Sequence, residues 1–150
     1  MSFAELAPAY IRAISPYQPG KPITQLAREM GIPVDKIVKL ASNENPLGMS
    51  PRARAALQAA MEGIERYPDQ FDLTAALAER FGVGMEQIVL GNGSNDVLDL
   101  AARVFLAPGR SSVFSRHAFA VYPLATMSAG GECIVVPAKH YGHDLDAMRA

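Results

Sequence analysis

The chain has 150 residues, with 14 lysines and arginines against 15 aspartates and glutamates, giving a formal net charge of −1. That is one domain's length, and an apolar content of 49% is ample for a core. Near-neutral charge without a basic run argues against nucleic acid as the main partner. No apolar stretch approaches the ~20 residues needed to span a bilayer. Met1-Ser2-Phe3-Ala4-Glu5 lacks the basic region and apolar core of a signal peptide. One cysteine, Cys133, rules out an internal disulfide framework and suits a reducing compartment, so a cytoplasmic protein is expected.

Ser2-Phe3-Ala4-Glu5 fits a capping box for a short leading helix. Pro8, Pro16, Pro19 and Pro22 then predict a largely irregular arm over residues 8–22. Ile23, Leu26, Ala27 and Met30 predict a short amphipathic helix ending at Gly31. Ile37 to Leu40 reads as a short strand, and Ala41-Ser42-Asn43-Glu44-Asn45-Pro46-Leu47-Gly48 as a polar turn after it. Ser50-Pro51 is an N-cap with proline at the first helical position, and Leu57, Ala60, Met61 and Ile64 are expected as that helix's buried face. Arg66-Tyr67-Pro68-Asp69 is a connection. Asp72 is expected to cap the next helix, which carries Leu73, Ala76, Leu77 and Phe81 and stops at Gly82.

The centre of the chain is Ile88-Val89-Leu90-Gly91-Asn92-Gly93-Ser94-Asn95-Asp96. The β-branched run predicts a buried strand, and the glycines predict a tight turn or a close approach to a ligand. Val97, Leu98, Ala101, Val104 and Phe105 recur on one helical face, with Ser94 and Asn95 at the N-cap and Asp96 in the first turn. A helix start of this kind presents free N–H groups and a positive dipole end, a natural phosphate site. A tight, well-capped strand-to-helix connection is the plainer alternative. The stretch is neither G-x-G-x-x-G nor a Walker loop.

Pro108-Gly109 closes that helix. Ser112 to Ser115 and Cys133 to Val136 are the next strands, with a helix over residues 119–128 between them that ends at Gly130-Gly131. From residue 86 onward the order is β-α-β-α-β, the pattern of an α/β layered fold with a mostly parallel sheet. Ligands in such sheets bind beyond the carboxyl ends of the strands, where residues 91–95 would lie. Residues 144–150 open a helix that stops after barely two turns, so the chain is expected to be the front part of a longer protein.

Five stretches, in order and spacing, resemble the front of the fold-type-I pyridoxal-phosphate aminotransferases, most closely the branch acting on histidinol phosphate. They are Ser15-Pro16-Tyr17, Leu40 to Gly48, Arg66-Tyr67-Pro68-Asp69, Leu90 to Asp96, and Val136-Pro137. The resemblance implies a three-layer α/β fold with helices on both faces of a mostly parallel sheet, preceded by an N-terminal arm. Residues 1–35 would be the arm and short helices, and 36–150 the first part of the cofactor-binding domain. It implies that backbone N–H groups at Gly93, Ser94 and Asn95 hold the phosphate of pyridoxal 5′-phosphate and that Phe119 stacks on its pyridine ring. Tyr67 would reach the phosphate in the neighbouring subunit of a homodimer with composite sites. Tyr17 and Asn43 would contact substrate. Arg116-His117-Ala118-Phe119 departs from the family in lacking a proline, and His117 is expected to be structural or exposed.

No catalytic residue is assigned within these residues. The lysine that forms the Schiff base is expected beyond Ala150, and none of Lys21, Lys36, Lys39 and Lys139 has its family context. The reaction implied is transfer of an amino group between an amino-phosphate substrate and 2-oxoglutarate, as in histidine biosynthesis. A decarboxylase of a phosphorylated amino acid, or an aromatic-amino-acid transaminase, would share these motifs. A non-catalytic aminotransferase-like binding module is the rival of another class. No metal site is expected.

Overall fold

The computed structural model describes residues 3–150. These form two compact units: residues 18–75, and the segment through Tyr17 together with residues 76–150.

In the 18–75 unit, helix α2 (Ile23–Met30) follows Pro22, whose carbonyl accepts from the N–H groups of Gln25 and Leu26 at 3.1 Å each. It stops as predicted at Gly31, in the left-handed region at φ 65°, where the Ile32 N–H turns back to the Ala27 carbonyl at 3.2 Å. On its exposed face Glu29 accepts from Lys21 at 2.5 Å and from Gln25 at 2.9 Å, and the Lys21 ammonium holds its carboxyl below the usual range. Residues 37–40 do not form the predicted strand. Ile37 is extended, but no strand pairs with this stretch among the described residues, and Leu40 is 94% exposed. A β-branched run without a partner has no ladder to satisfy.

The polar turn forms as expected and is organised by Asn45. Its carboxamide oxygen accepts from the Leu47 N–H at 3.0 Å and its amide donates to the Gly48 carbonyl at 2.9 Å. Helix α3 (Pro51–Ala60) starts at Ser50, whose hydroxyl accepts from the Ala53 N–H at 3.2 Å. Its expected apolar face is not buried: α3 holds no buried residue, and Leu57, Met61 and Ile64 are exposed. Helix α4 (Phe71–Phe81), which has residues in both units, is started by Asp69 and not by Asp72. The Asp69 carboxylate accepts from the Phe71 N–H at 2.9 Å, which leaves Asp72 inside the first turn as a favourable charge.

The other unit begins with a 3-10 turn, Phe3–Leu6; Ser2, the first residue of the proposed capping box, lies outside the described residues. A one-turn helix, α1 (Ala9–Arg12), interrupts the arm that was expected to be irregular, with Pro8 as its N-cap. Gly82, at φ 65°, ends α4. Ile88 is extended, but residues 88–90 pair with no strand among the described residues, and Val89 is 69% exposed, so the predicted buried strand is not formed.

Helix α5 (Ser94–Phe105), strand β1 (Ser111–Ser115), helix α6 (Val121–Ser128) and strand β2 (Glu132–Val136) follow, and helix α7 (Leu145–Arg149) starts at Asp144. β1 and β2 pair in parallel, from Ser111 opposite Glu132 to Ser115 opposite Val136, with α6 as the crossover. α5 packs on α6 through Ala102, Val121 and Ala125, flanked by Leu98, Leu106 and Ala129. The buried stripe of α5 is therefore Leu98–Ala102–Leu106, rotated from the predicted one, and Val104 is 72% exposed. The crossover is tied down by a buried hydroxyl pair: Thr126 Oγ1 lies 2.7 Å from Ser112 Oγ on β1 and donates to the Tyr122 carbonyl at 2.7 Å. Tyr122 stacks on Phe114 with ring centroids 6.1 Å apart. The chain is thus α/β with a parallel sheet, as read from its sequence. None of the described helices is long and apolar enough to cross a membrane.

Candidate functional site

The glycine turn is built by three local constraints. Gly93 has φ 85° and ψ 175°, a backbone region essentially closed to other residues. Its N–H donates to the Gly91 carbonyl at 2.9 Å, which folds the turn on itself. The Asn92 N–H donates to the Asp96 carboxylate at 3.0 Å. Gly93, not Ser94 or Asn95, is thereby the N-cap of α5, and Ser94 is its first helical residue.

The resemblance implies three phosphate donors, the N–H groups of Gly93, Ser94 and Asn95, but the Gly93 N–H is already given to the Gly91 carbonyl. Gly93 shapes the turn. Among the described residues, the N–H groups of Ser94 and Asn95 donate to no acceptor and stand exposed at the head of a twelve-residue helix. Open donors aligned with the positive end of a helix dipole suit an anion with several acceptor oxygens.

Phe119 lies in the loop after the carboxyl end of β1, just ahead of α6, and is 42% exposed. It lines a depression of about 450 Å³ with His117, Ala118, Tyr122, His143 and Met148. His117 is exposed, in line with its sequence reading. His143 and Met148 were not singled out by sequence. They arrive from the segment after β2, and only the parallel pairing shows that the loops following both strands open at one end of the sheet. That end is where an open α/β sheet carries its ligands, and the rim here combines aromatic faces with imidazole nitrogens.

Tyr17 is half-exposed and ends the N-terminal segment of the same unit. Asn43 and Tyr67 belong to the other. Asn43 has a left-handed backbone, φ 50°, directly after Ser42 at φ 69°, and Tyr67 is fully exposed before Pro68. Asn tolerates that conformation better than most residues, so the polar turn itself accounts for its choice there. Cys133 is not among the residues lining the depression: burial pushes its thiol above the ordinary value, and Sγ sits 3.9 Å from the Pro123 carbonyl. No group of three or more histidine, cysteine or acidic side chains capable of holding a metal occurs among the described residues.

Comparison with known proteins puts this geometry in a family. The sequence pattern of aminotransferase class I and II matches residues 35–150. Histidinol-phosphate aminotransferase 1 of Dechloromonas aromatica is 78% identical over 150 residues, covering all of this chain and 41% of that protein. Histidinol-phosphate aminotransferase 2 of Nitrosospira multiformis is 67% identical, over 99% of this chain and 38% of that protein. The chain thus spans about two fifths of the length of these curated relatives. The fold matches the crystal structure of histidinol-phosphate aminotransferase from Sinorhizobium meliloti in complex with pyridoxal 5′-phosphate. The TM-score is 0.79 and the identity 24%, over 95% of this chain and 38% of that one. Its parallel βαβ unit, its fold and the match over residues 35–150 make this chain a member of the class I and II aminotransferase family.

Proposed function

We propose that this chain is the front portion of a pyridoxal-phosphate-dependent histidinol-phosphate:2-oxoglutarate aminotransferase. The observation that carries the proposal is the 78% identity, over the full length of this chain, to a protein named histidinol-phosphate aminotransferase 1. Residues 36–150 would be the first part of the cofactor-binding domain, behind an arm and short helices over residues 1–35.

The residues present fit the cofactor. Two open N–H donors at a helix head match a phosphate, and an exposed aromatic face beside a 450 Å³ depression matches a pyridine ring. Ser94 and Asn95 hold the phosphate through their backbone N–H groups, while Gly93 sets the angle at which those groups leave the helix. Phe119 offers its ring for stacking. When bound, pyridoxal phosphate supplies the carbonyl that takes up the amino group and the electron sink for the proton transfers that follow. Tyr67, fully exposed on its own subunit, donates its hydroxyl to the phosphate site of a second copy in a homodimer. Tyr17 and Asn43 contact the substrate. The partners are small molecules, an amino-phosphate donor and 2-oxoglutarate, in a cytoplasmic biosynthetic enzyme.

Glutamate formation from histidinol phosphate and 2-oxoglutarate by the complete enzyme tests this reading. We expect turnover that depends on added pyridoxal phosphate. Release of CO₂ from a phosphorylated amino acid, or faster turnover of an aromatic amino acid, would move the enzyme to one of the neighbouring activities. Cofactor binding without turnover of any of these would favour a binding module.

A further inference from the structure

Five successive N–H groups run through the turn and the start of α5, and they divide sharply by partner. The Asn92 N–H goes to the Asp96 carboxylate at 3.0 Å and the Gly93 N–H to the Gly91 carbonyl at 2.9 Å. Those of Ser94, Asn95 and Asp96 donate to nothing among the described residues. An acidic side chain at the third helical position commonly answers the helix dipole or closes a capping box on the N-cap residue. Asp96 does something else: it reaches past the N-cap, Gly93, to the residue before it.

Gly91 is what allows that reach. A Cβ on Gly91 would lie 3.0 Å from Asp96 Oδ2, 3.3 Å from Asp96 Cβ and 2.9 Å from Val97 Cγ2. All three are closer than such atoms comfortably sit, the Val97 methyl closest, and the Asp96 oxygen at 3.0 Å is the one that accepts from Asn92. Gly93 differs, since nothing lies within 4 Å of a Cβ there and its glycine is required by φ alone. The two glycines therefore serve separate ends: Gly93 makes the turn possible and Gly91 makes room for the carboxylate that fastens it.

We propose that Asp96 and Gly91 form a clasp in which Asp96 is a positioning residue for the phosphate site. The carboxylate occupies the Asn92 N–H and fixes the turn, so that the N–H groups of Ser94 and Asn95 remain outward and unspent. This inference rests on reading the turn as the phosphate cradle. It also gives Asp96 two opposed effects. Its hydrogen bond organises the cradle, while its negative charge opposes a phosphate that carries nearly two negative charges at neutral pH.

The opposition makes the clasp testable by three substitutions in the complete apo-enzyme, titrated separately with pyridoxal phosphate and with pyridoxal, which lacks the phosphate. Asp96→Ala removes the bond and the charge. Gly91→Ala leaves the carboxylate chemically intact but crowds it, together with the Val97 methyl, out of its place. Asp96→Asn keeps an acceptor of the same shape and removes the charge. Asp96→Ala and Gly91→Ala are expected to weaken pyridoxal phosphate binding about tenfold or more, the scale of losing a hydrogen bond to a charged group, and to leave pyridoxal within about twofold. Asp96→Asn is expected to bind pyridoxal phosphate at least as tightly as the parent, most visibly at low salt. Amide exchange at Asn92 in the apo-enzyme should accelerate in the first two variants and stay slow in the third.

Wild-type affinity in Asp96→Ala, with Asn92 exchange accelerated, would overturn the clasp, because the bond would be broken without consequence. So would an Asp96→Asn protein as weak as Asp96→Ala. Should Asp96→Ala not fold, Gly91→Ala and Asp96→Asn carry the same comparison. A parent enzyme that binds pyridoxal as tightly as pyridoxal phosphate would remove the cradle reading and the clasp with it. A parent that prefers pyridoxal phosphate, with all three variants unchanged, would remove the clasp alone.

Discussion

Cys133 shows how far a single side chain's behaviour follows from where the sheet puts it. It lies on β2, partly covered, and desolvation raises its thiol above the ordinary value; the nearby Glu132 charge adds to this, and a hydrogen bond with Thr126 works against it. A thiol whose folded value is raised adds stability below the unfolded value, near ~8.5, and that contribution fades as pH climbs through the folded value. The thiolate is the nucleophile, so its scarcity at neutral pH keeps the group inert. Alkylation of Cys133 by iodoacetamide at pH 7.5 is therefore expected to be slower than that of a free cysteine, and to accelerate only in alkaline solution. Rapid labelling at pH 7.5 would contradict the burial argument.

At the scale of elements, the βαβ unit depends on a hydroxyl pair as well as on apolar contact. Thr126 is 3% exposed and joins Ser112 of β1 to the Tyr122 carbonyl within α6. Thr126→Val keeps the shape of the side chain, leaves the Ser112 hydroxyl without that partner, and should lower unfolding stability by about 1–3 kcal/mol. The midpoint of urea denaturation checks this, and an unchanged midpoint would mean that Ser112 finds another partner. The elements legible in the sequence were those with chemical punctuation. Ser50-Pro51 opened α3, Gly31 and Gly82 closed α2 and α4, and Gly130 stood at the end of α6. Ile37–Leu40 and Ile88–Leu90 had strand composition, but a strand exists only when another pairs with it, and local sequence does not hold that information. The buried face of α5 is not legible locally for a related reason: Val97, Val104 and Phe105 are apolar, yet α6 packs on Leu98, Ala102 and Leu106. The glycine turn was legible because glycines, cap and helix are contiguous. The histidine-lined depression was not, because His117 and His143 meet only through the sheet.

At the scale of the chain, the described residues bury mainly small side chains, such as Ala27, Ala78, Ala102 and Ala125, and leave many large apolar ones exposed, among them Leu47, Ile64 and Phe105. Tyr67 belongs with that exposed set, and the proposed homodimer gives it a task outside its own subunit. Because Tyr67 is fully exposed among the described residues, Tyr67→Phe should change unfolding stability by no more than about 0.5 kcal/mol. In the complete enzyme the same change is expected to weaken retention of pyridoxal phosphate during dialysis. Retention equal to the parent would remove the role across the interface. Loss of stability would show that the hydroxyl serves its own subunit.

Gly93 is the pivot of the turn, and its conformation aims the open N–H groups of Ser94 and Asn95. Gly93→Ala meets no steric obstacle, so its effect is conformational, about 1–3 kcal/mol of strain that the turn relieves by changing shape. The most direct measurement is the affinity of the complete Gly93→Ala apo-enzyme for pyridoxal phosphate and for pyridoxal, each against the parent. The predicted result is a loss of about tenfold or more for pyridoxal phosphate, with pyridoxal nearly unaffected. Equal losses for the two ligands, or none for either, would contradict the assignment of the phosphate to this turn.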